Sequence, residues 1–152
     1  MPKTAMHIDD VPARVGTGYP PPHDVPCRQR SRRRLSDAVG LSQFGFNLLE
    51  LPPGAWSSQR HWHERQDEMI FVLEGEVTLV TDAGETILTA GMFAGFRAGE
   101  PNGHHLTNKS NALVRVLELG TRTAEETAHY TDIDMIYREG VGYLTRAGRP
   151  LP

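Results

Sequence analysis

A single cysteine, Cys27, stands in 152 residues, which leaves no partner for an intrachain disulfide and no CxxC zinc site. Long apolar runs are missing too. None approaches the roughly 20 residues that a membrane-crossing helix needs. The first stretch, MPKTAMHIDDVPARVG, is broken by proline and charge and has no secretory h-region. The expectation is a soluble, cytoplasmic protein with no membrane partner. There is no surplus of positive charge either. With 16 Lys and Arg against 19 Asp and Glu, the net charge of −3 argues against nucleic acid as a partner. Internal repeats and low-complexity blocks are absent. What remains is ordinary for one globular domain: 38% hydrophobic and 23% charged residues, in a chain long enough to bury about two-thirds of its surface. The 15 Gly and 11 Pro favour many short strands joined by turns over a helical bundle.

The chain divides into three parts. Residues 1–34 form an arm. Pro2, Pro12, Pro20, Pro21, Pro22 and Pro26 exclude a helix or a central strand there. The arm ends in the run Arg28, Arg30, Arg32, Arg33 and Arg34, read as a solvated edge strand whose charges block sheet-to-sheet association. A phosphate or acidic-partner contact is the alternative.

Residues 35–120 read as a β domain, with strands every 8–12 residues in the manner of a sandwich or barrel. LSQFGFNLLEL (41–51) alternates, then changes phase at Leu49. EMIFVLEG (68–75) is near-continuously apolar, as in a strand buried on both sides, and EVTLVT (76–81) follows so closely that the two read as a hairpin. Residues 121–152 form a C-terminal extension, packing on the barrel or trailing as a tail. TRTAEETAHY suits a short helical turn there and DIDMIYRE a last strand.

Chemistry concentrates in one stretch, from Gly54 through His61, His63 and Glu68 to Gly75. On a strand, residues two apart share a face, so His61 and His63 converge while Trp62 points away. Two imidazoles on one side make a metal-ligand arrangement. Glu68 has the wrong parity for the same strand, but the polar ERQD (64–67) can turn the chain and bring it back; Asp67 is its rival. A fourth ligand is offered by His104 or His105, which face opposite sides.

These residues resemble a known family. The spacing H-x-H-x4-E-x6-G at His61, His63, Glu68 and Gly75 is similar to the first motif of the cupin superfamily. Gly91 to Asn108 resembles the second, with Arg97 where proline is usual, Gly99 kept, and Asn102 and Gly103 inserted before the histidine. The H-x3-N spacing then selects His104 together with Asn108. The resemblance covers residues 41–120. GEPNGHHLTN (99–108), ExGTR (118–122) and YxDxD (130–134) are similar to small bacterial cupins, some labelled sugar-phosphate isomerases by analogy. The resemblance implies an all-β fold, a double-stranded β-helix or jelly-roll barrel, commonly homodimeric. It also implies a divalent metal ion, Fe, Mn, Zn or Ni, held by His61, His63, Glu68 and His104.

Four protein ligands in a six-coordinate site leave two positions for a small-molecule ligand. The reading is a metal-dependent enzyme of isomerase or epimerase type on a small polar or sugar-like substrate. A non-haem dioxygenase and a non-enzymatic binding module are the alternatives. His105 and Glu100 are candidate bases. Trp56 and Trp62 are packing or mouth-lining residues, and Cys27 has no role. His129 and Tyr130 are placed over the barrel mouth. A homodimer exchanging its proline-rich arms is expected.

Overall fold

The computed structural model describes residues 3–152; Met1 and Pro2, the latter one of the arm prolines, lie outside the described residues. The strands are β1 (Ala13–Val15), β2 (Ser31–Arg34), β3 (Phe44–Leu51), β4 (His61–His63), β5 (Glu68–Glu74), β6 (Glu76–Thr81), β7 (Gly84–Thr89), β8 (Phe93–Phe96), β9 (His105–Thr107), β10 (Val114–Thr121), β11 (Thr127–Tyr130), β12 (Ile136–Arg138) and β13 (Gly142–Leu144). Helix among the described residues is limited to the single turn α1 (Leu35–Ala38) and two 3-10 turns. None is long and apolar enough to cross a membrane.

The antiparallel strands form the two walls of a jelly-roll barrel. One wall runs β1-β2-β3-β10-β5-β8. The other is built from two pieces, β7-β6-β9 and β4-β11-β12-β13. A bridge between His61 and His104 closes the gap between these pieces. Between the walls, Leu49 lies opposite Val116, which lies opposite Val72; Leu51 lies opposite Val114. These side chains meet Val77, Leu79, Leu88 and Leu106 from the other wall in one buried core. Each fully buried aliphatic contributes about 1.5–3 kcal/mol, so this layer holds the walls together.

A second core lies outside the barrel. Tyr19 and Cys27 from the proline-rich segment pack with Ala128, Tyr130 and Met135 of the C-terminal sheet. Burial pushes the Cys27 thiol up to about 11, so it is a packing residue with little thiolate at neutral pH.

Several local expectations are corrected by this architecture. The last three residues of the arginine run, Arg32, Arg33 and Arg34, lie on an inner strand, since β2 pairs with β3 on one side and with β1 on the other. Its charges are accommodated because Arg32 makes a two-pronged ion pair with Glu118, at 2.7 and 3.0 Å. The chain between β5 and β6 is no hairpin: β5 pairs with β10 and β8, while β6 pairs with β7 and β9. One intervening residue is too short for the usual hairpin loop of two or more. Gly75 instead takes φ +88° and carries the chain from one wall to the other. A Cβ there would lie 2.9 Å from the Leu113 carbonyl oxygen, so backbone and packing both require glycine.

The strand expected to be buried on both sides is buried on one. Ile70 and Val72 face the core, whereas Met69, Phe71 and Leu73 stay exposed on the outer face. The expected helical turn in 121–130 is replaced by β11, which pairs with both β4 and β12 and buries Ala128 and Tyr130. A helical turn that short gains little by itself, whereas the strand satisfies its backbone on two sides.

Candidate metal centre

His61 and His63 sit on β4 with Trp62 between them pointing outward, where it stacks on His129 at 4.4 Å. The His61 and His63 ring centroids are 4.9 Å apart. Residues 64–67 cross from one wall to the other, and β5 opens on Glu68. His104 enters from the second wall immediately before β9, at the bridge to His61.

The Glu68 carboxylate is the meeting point. Its Oε2 lies 2.6 Å from His104 Nε2, and its Oε1 lies 3.0 Å from His63 Nε2 and 4.0 Å from His61 Nε2. Ligand atoms of His61, Glu68 and His104 all fall within 4.8 Å of one another, a grouping able to hold a metal ion. His63 stands outside that tightest group but faces the same carboxylate.

The alternatives are spent elsewhere. Asp67 accepts the Ala98 amide at 2.8 Å, and its own amide donates to Thr121 Oγ1. His105 Nδ1 donates to the Ser58 carbonyl at 2.8 Å, and its ring packs edge-on to Trp56. Arg97 lies at the surface beside Glu100, at 3.7 Å, and not in the barrel interior. Tyr130 is buried in the second core, 5.5 Å from the His61 ring, while His129 is held outside by Glu64 at 2.7 Å.

Each imidazole has an orienting contact. His61 Nδ1 donates to the Gln59 carbonyl at 2.8 Å, which leaves Nε2 as the lone-pair nitrogen. His104 lies flat on Phe96, with centroids 3.6 Å apart. His63 Nδ1 is 3.5 Å from Oε1 of Glu126. Glu126 is a buried carboxylate that also accepts the main-chain N–H groups of Glu64 and Arg65, at 2.9 and 3.0 Å. Its role was invisible in the sequence, because these partners lie 62 and 61 residues away with no local motif.

Electrostatics follow from this geometry. Burial pushes the Glu68 carboxyl up, but the imidazoles gathered around it, His104 foremost with His61 and His63, outweigh it and hold it well below the usual range. Burial lowers His63, but Glu68 and then Glu126 raise it above the ordinary histidine value. His104 is lowered, chiefly by burial.

The residues fit a divalent ion. Both ring nitrogens of His63 are buried without a hydrogen-bond partner. Such nitrogens carry a desolvation cost that a coordinated cation would relieve. Neutral imidazoles with one carboxylate form a nitrogen- and oxygen-donor set suited to first-row divalent metals.

Beside the cluster opens a cavity of about 660 Å³, reached by His61, Glu68 and His104. Its polar wall includes Arg32, Asn47 and Glu118, and its rim includes Arg34, Asp37 and Arg122. The carboxylate of Asp37 lies 2.5 Å from Arg122 and 3.8 Å from Arg34. Glu118 and Arg122 are the first and last residues of the ExGTR motif, which carried the resemblance without a role for either; Asn47 was not singled out, since strand pairing alone brings it to the wall.

Residues 47–120 match the cupin domain family. No curated protein matches the chain. Among solved structures, a cupin-superfamily sugar phosphate isomerase from Silicibacter pomeroyi is 44% identical, with TM-score 0.93 over 97% of this chain and 96% of that one. A putative sugar phosphate isomerase from Acidithiobacillus ferrooxidans is 25% identical, with TM-score 0.73 over 82% and 81%. The polyketide cyclase RemF from Streptomyces resistomycificus, 24% identical with TM-score 0.63 over 78% and 79%, shares the fold alone.

Proposed function

The chain belongs to the cupin superfamily, and from that premise we propose that it is a metal-dependent enzyme of isomerase or epimerase type on a small polar, sugar-like substrate. The observation that carries this reading is the shared opening of the histidine–carboxylate cluster and a large cavity with a polar wall. The 44% identical relative, itself described as a sugar phosphate isomerase, supports the reaction class.

In this reading His61, His63, Glu68 and His104 hold a divalent Fe, Mn, Zn or Ni ion. When bound, such an ion supplies Lewis-acid polarisation to a carbonyl or hydroxyl pair. The rest falls to the chain itself. The Arg32–Glu118 pair and Asn47 present fixed donors and acceptors to substrate hydroxyls. His105 lines the same cavity with Nδ1 committed to the Ser58 carbonyl, so its Nε2 carries the lone pair. We assign it the transfer of a proton between neighbouring substrate carbons.

The test is proton exchange. Metal-loaded protein is incubated with a panel of aldoses, ketoses and their phosphates in D2O and followed by NMR. Solvent deuterium entering next to the carbonyl, lost in His105→Gln, is expected. Dioxygen uptake without exchange would replace the isomerase reading by a dioxygenase. Binding with neither would leave a small-molecule module.

The same proposal includes a homodimer, joined through the outer face of the first wall. There Phe71 lies between Leu117 and Phe93, and Met69 lies opposite Leu119; among the described residues Met69, Phe71 and Phe93 stay exposed. The arm pairs within its own chain through β1 and β2, so no arm exchange is needed. Light scattering behind size exclusion should give twice the 16.9 kDa chain mass, and Phe71→Glu should give monomers.

A further inference from the structure

Two glycines on the cavity wall have no backbone reason to be glycine. Gly45 and Gly120 lie in β3 and β10, directly opposite each other, and Gly120 lies in turn opposite Glu68 on β5. Neither has a positive φ. Glycine inside a strand weakens it, so a side chain would be the default. Both line the cavity. A Cβ on Gly120 would sit 3.8 Å from Glu68 Cγ, and one on Gly45 would sit 3.5 Å from Arg122 Nη2. The missing side chains leave a smooth trough from the metal-ligating carboxylate to a guanidinium. The trough runs from Glu68 on β5 across β10 and β3 to Arg34 on β2, three strand spacings or roughly 14 Å. That length exceeds the reach of a small acid and leaves room for a phosphorylated sugar between the two ends.

The far end of the trough is basic and incompletely matched. Arg34 and Arg122 share one carboxylate, Asp37, which leaves one positive charge over. Arg34 is held only at 3.8 Å, and Arg122 donates to Asp37 and, at 3.5 Å, to the Leu41 carbonyl; both side chains line the cavity and are 55% and 42% exposed. Between the ends, Asn47 stands opposite Arg34 on one side and Glu118 on the other. Its Oδ1 is buried without a hydrogen-bond partner, an acceptor open to a hydroxyl.

We infer that Arg34 and Arg122 form a phosphate subsite of the cavity, which makes the substrate a phosphate monoester of a polyhydroxylated chain. Two guanidinium groups set around one point can both reach the oxygens of a tetrahedral phosphate, whose larger negative charge matches two arginines where the single charge of Asp37 matches one. Asp37 is the internal competitor that the phosphate displaces from the forks. This deepens the isomerase reading and rests on it for its link to turnover; the subsite itself stands without the metal.

The test uses inorganic phosphate on metal-free protein at low ionic strength, where screening of exposed charges is weak. Calorimetric titration should show phosphate binding to the unaltered protein. The double variant Arg34→Gln, Arg122→Gln should lose at least tenfold in affinity. Asp37→Asn should gain several-fold, an increase that a merely structural aspartate would not give. Glucose 6-phosphate should displace phosphate, and glucose should not. Metal affinity, measured separately, should be unchanged in all variants. Phosphate affinity equal in all three proteins, or weakened by Asp37→Asn, would overturn the subsite while intact metal binding leaves the enzyme reading in place. Acetate competing as well as phosphate would overturn the phosphate assignment. Absence of metal binding by the unaltered protein, with the phosphate pattern as expected, would remove the enzyme reading and retain the subsite.

Discussion

Glu126 stands behind His63, with its Oε1 3.5 Å from Nδ1, on the side away from Glu68. One imidazole thus bridges two carboxylates, one in the cluster and one buried in the wall. The outer carboxylate is itself anchored by two main-chain N–H groups. It is placed to set both the tautomer and the tilt of the His63 ring.

Replacing Glu126 by Gln should therefore weaken metal binding by about 10- to 100-fold, the usual cost of losing an orienting partner behind a ligand. Competition titration against a chelator of known affinity checks this. The unfolding midpoint should fall only modestly, because the amide oxygen still accepts one main-chain N–H while the NH2 group cannot accept the other. A change in metal affinity below twofold would show that Glu126 only braces the loop at residues 64–65.

The double variant His61→Ala, His63→Ala should bind no metal and remain folded. Both imidazoles lie outside the aliphatic core that joins the walls. Atomic absorption on the purified variant and its circular dichroism decide the matter together. Full metal occupancy would remove the ligand assignment.

The pH dependence has two signs. The folded carboxyl of Glu68 is held below its ordinary 4.5, so its contribution is present above that value and is lost as pH falls through the lower folded value. His63 is held above its ordinary 6.5 in the metal-free protein, so its contribution is complete below 6.5 and is lost as pH rises through the higher folded value. His104 is lowered, so its contribution is complete above 6.5 and is lost as pH falls through the lower folded value; metal-free protein should thus be most stable close to the ordinary histidine value. His63 must also surrender its proton to bind metal, whereas His104, lowered by burial, is already neutral. Metal affinity should rise with pH through the neutral range with His63 as the proton source. Denaturant unfolding and calorimetry in buffers of different ionisation enthalpy check both statements.

Gly75→Ala should destabilise the protein by about 1–3 kcal/mol through its left-handed backbone, with a further cost from the Leu113 carbonyl. Metal affinity measured below the unfolding transition should be unaffected. A stability loss under half a kilocalorie, about the effect of a neutral surface change, would contradict the corner role.

Parity carried much of the site into view. His61 and His63 share a face because a strand repeats every two residues, and Glu68 reaches them because four polar residues can turn. The strand spacing likewise announced an all-β chain. What stayed hidden is whatever long-range pairing decides. EMIFVLE is apolar on both faces, yet which face a second layer covers is no property of the segment. Arg32 looked solvated because Glu118, its partner 86 residues away, lies on a strand two removed in the sheet. Glu126 and Arg122 are ordinary surface-type residues until β11 and β10 bring them to the site.

The second core has a consequence for biosynthesis. Tyr19 meets Tyr130 at a ring distance of 5.6 Å and Tyr143 at 5.5 Å, so the start of the chain is completed by residues made near its end. Contacts this distant in sequence close late, after the loop between them has paid its entropy. A chain emerging from the ribosome carries Tyr19 and Cys27 uncovered until the last strands are released. A premature stop after residue 126 would leave the main barrel core intact in composition. It would also leave an unsheathed apolar seam along the proline-rich segment, a surface for chaperones and proteases.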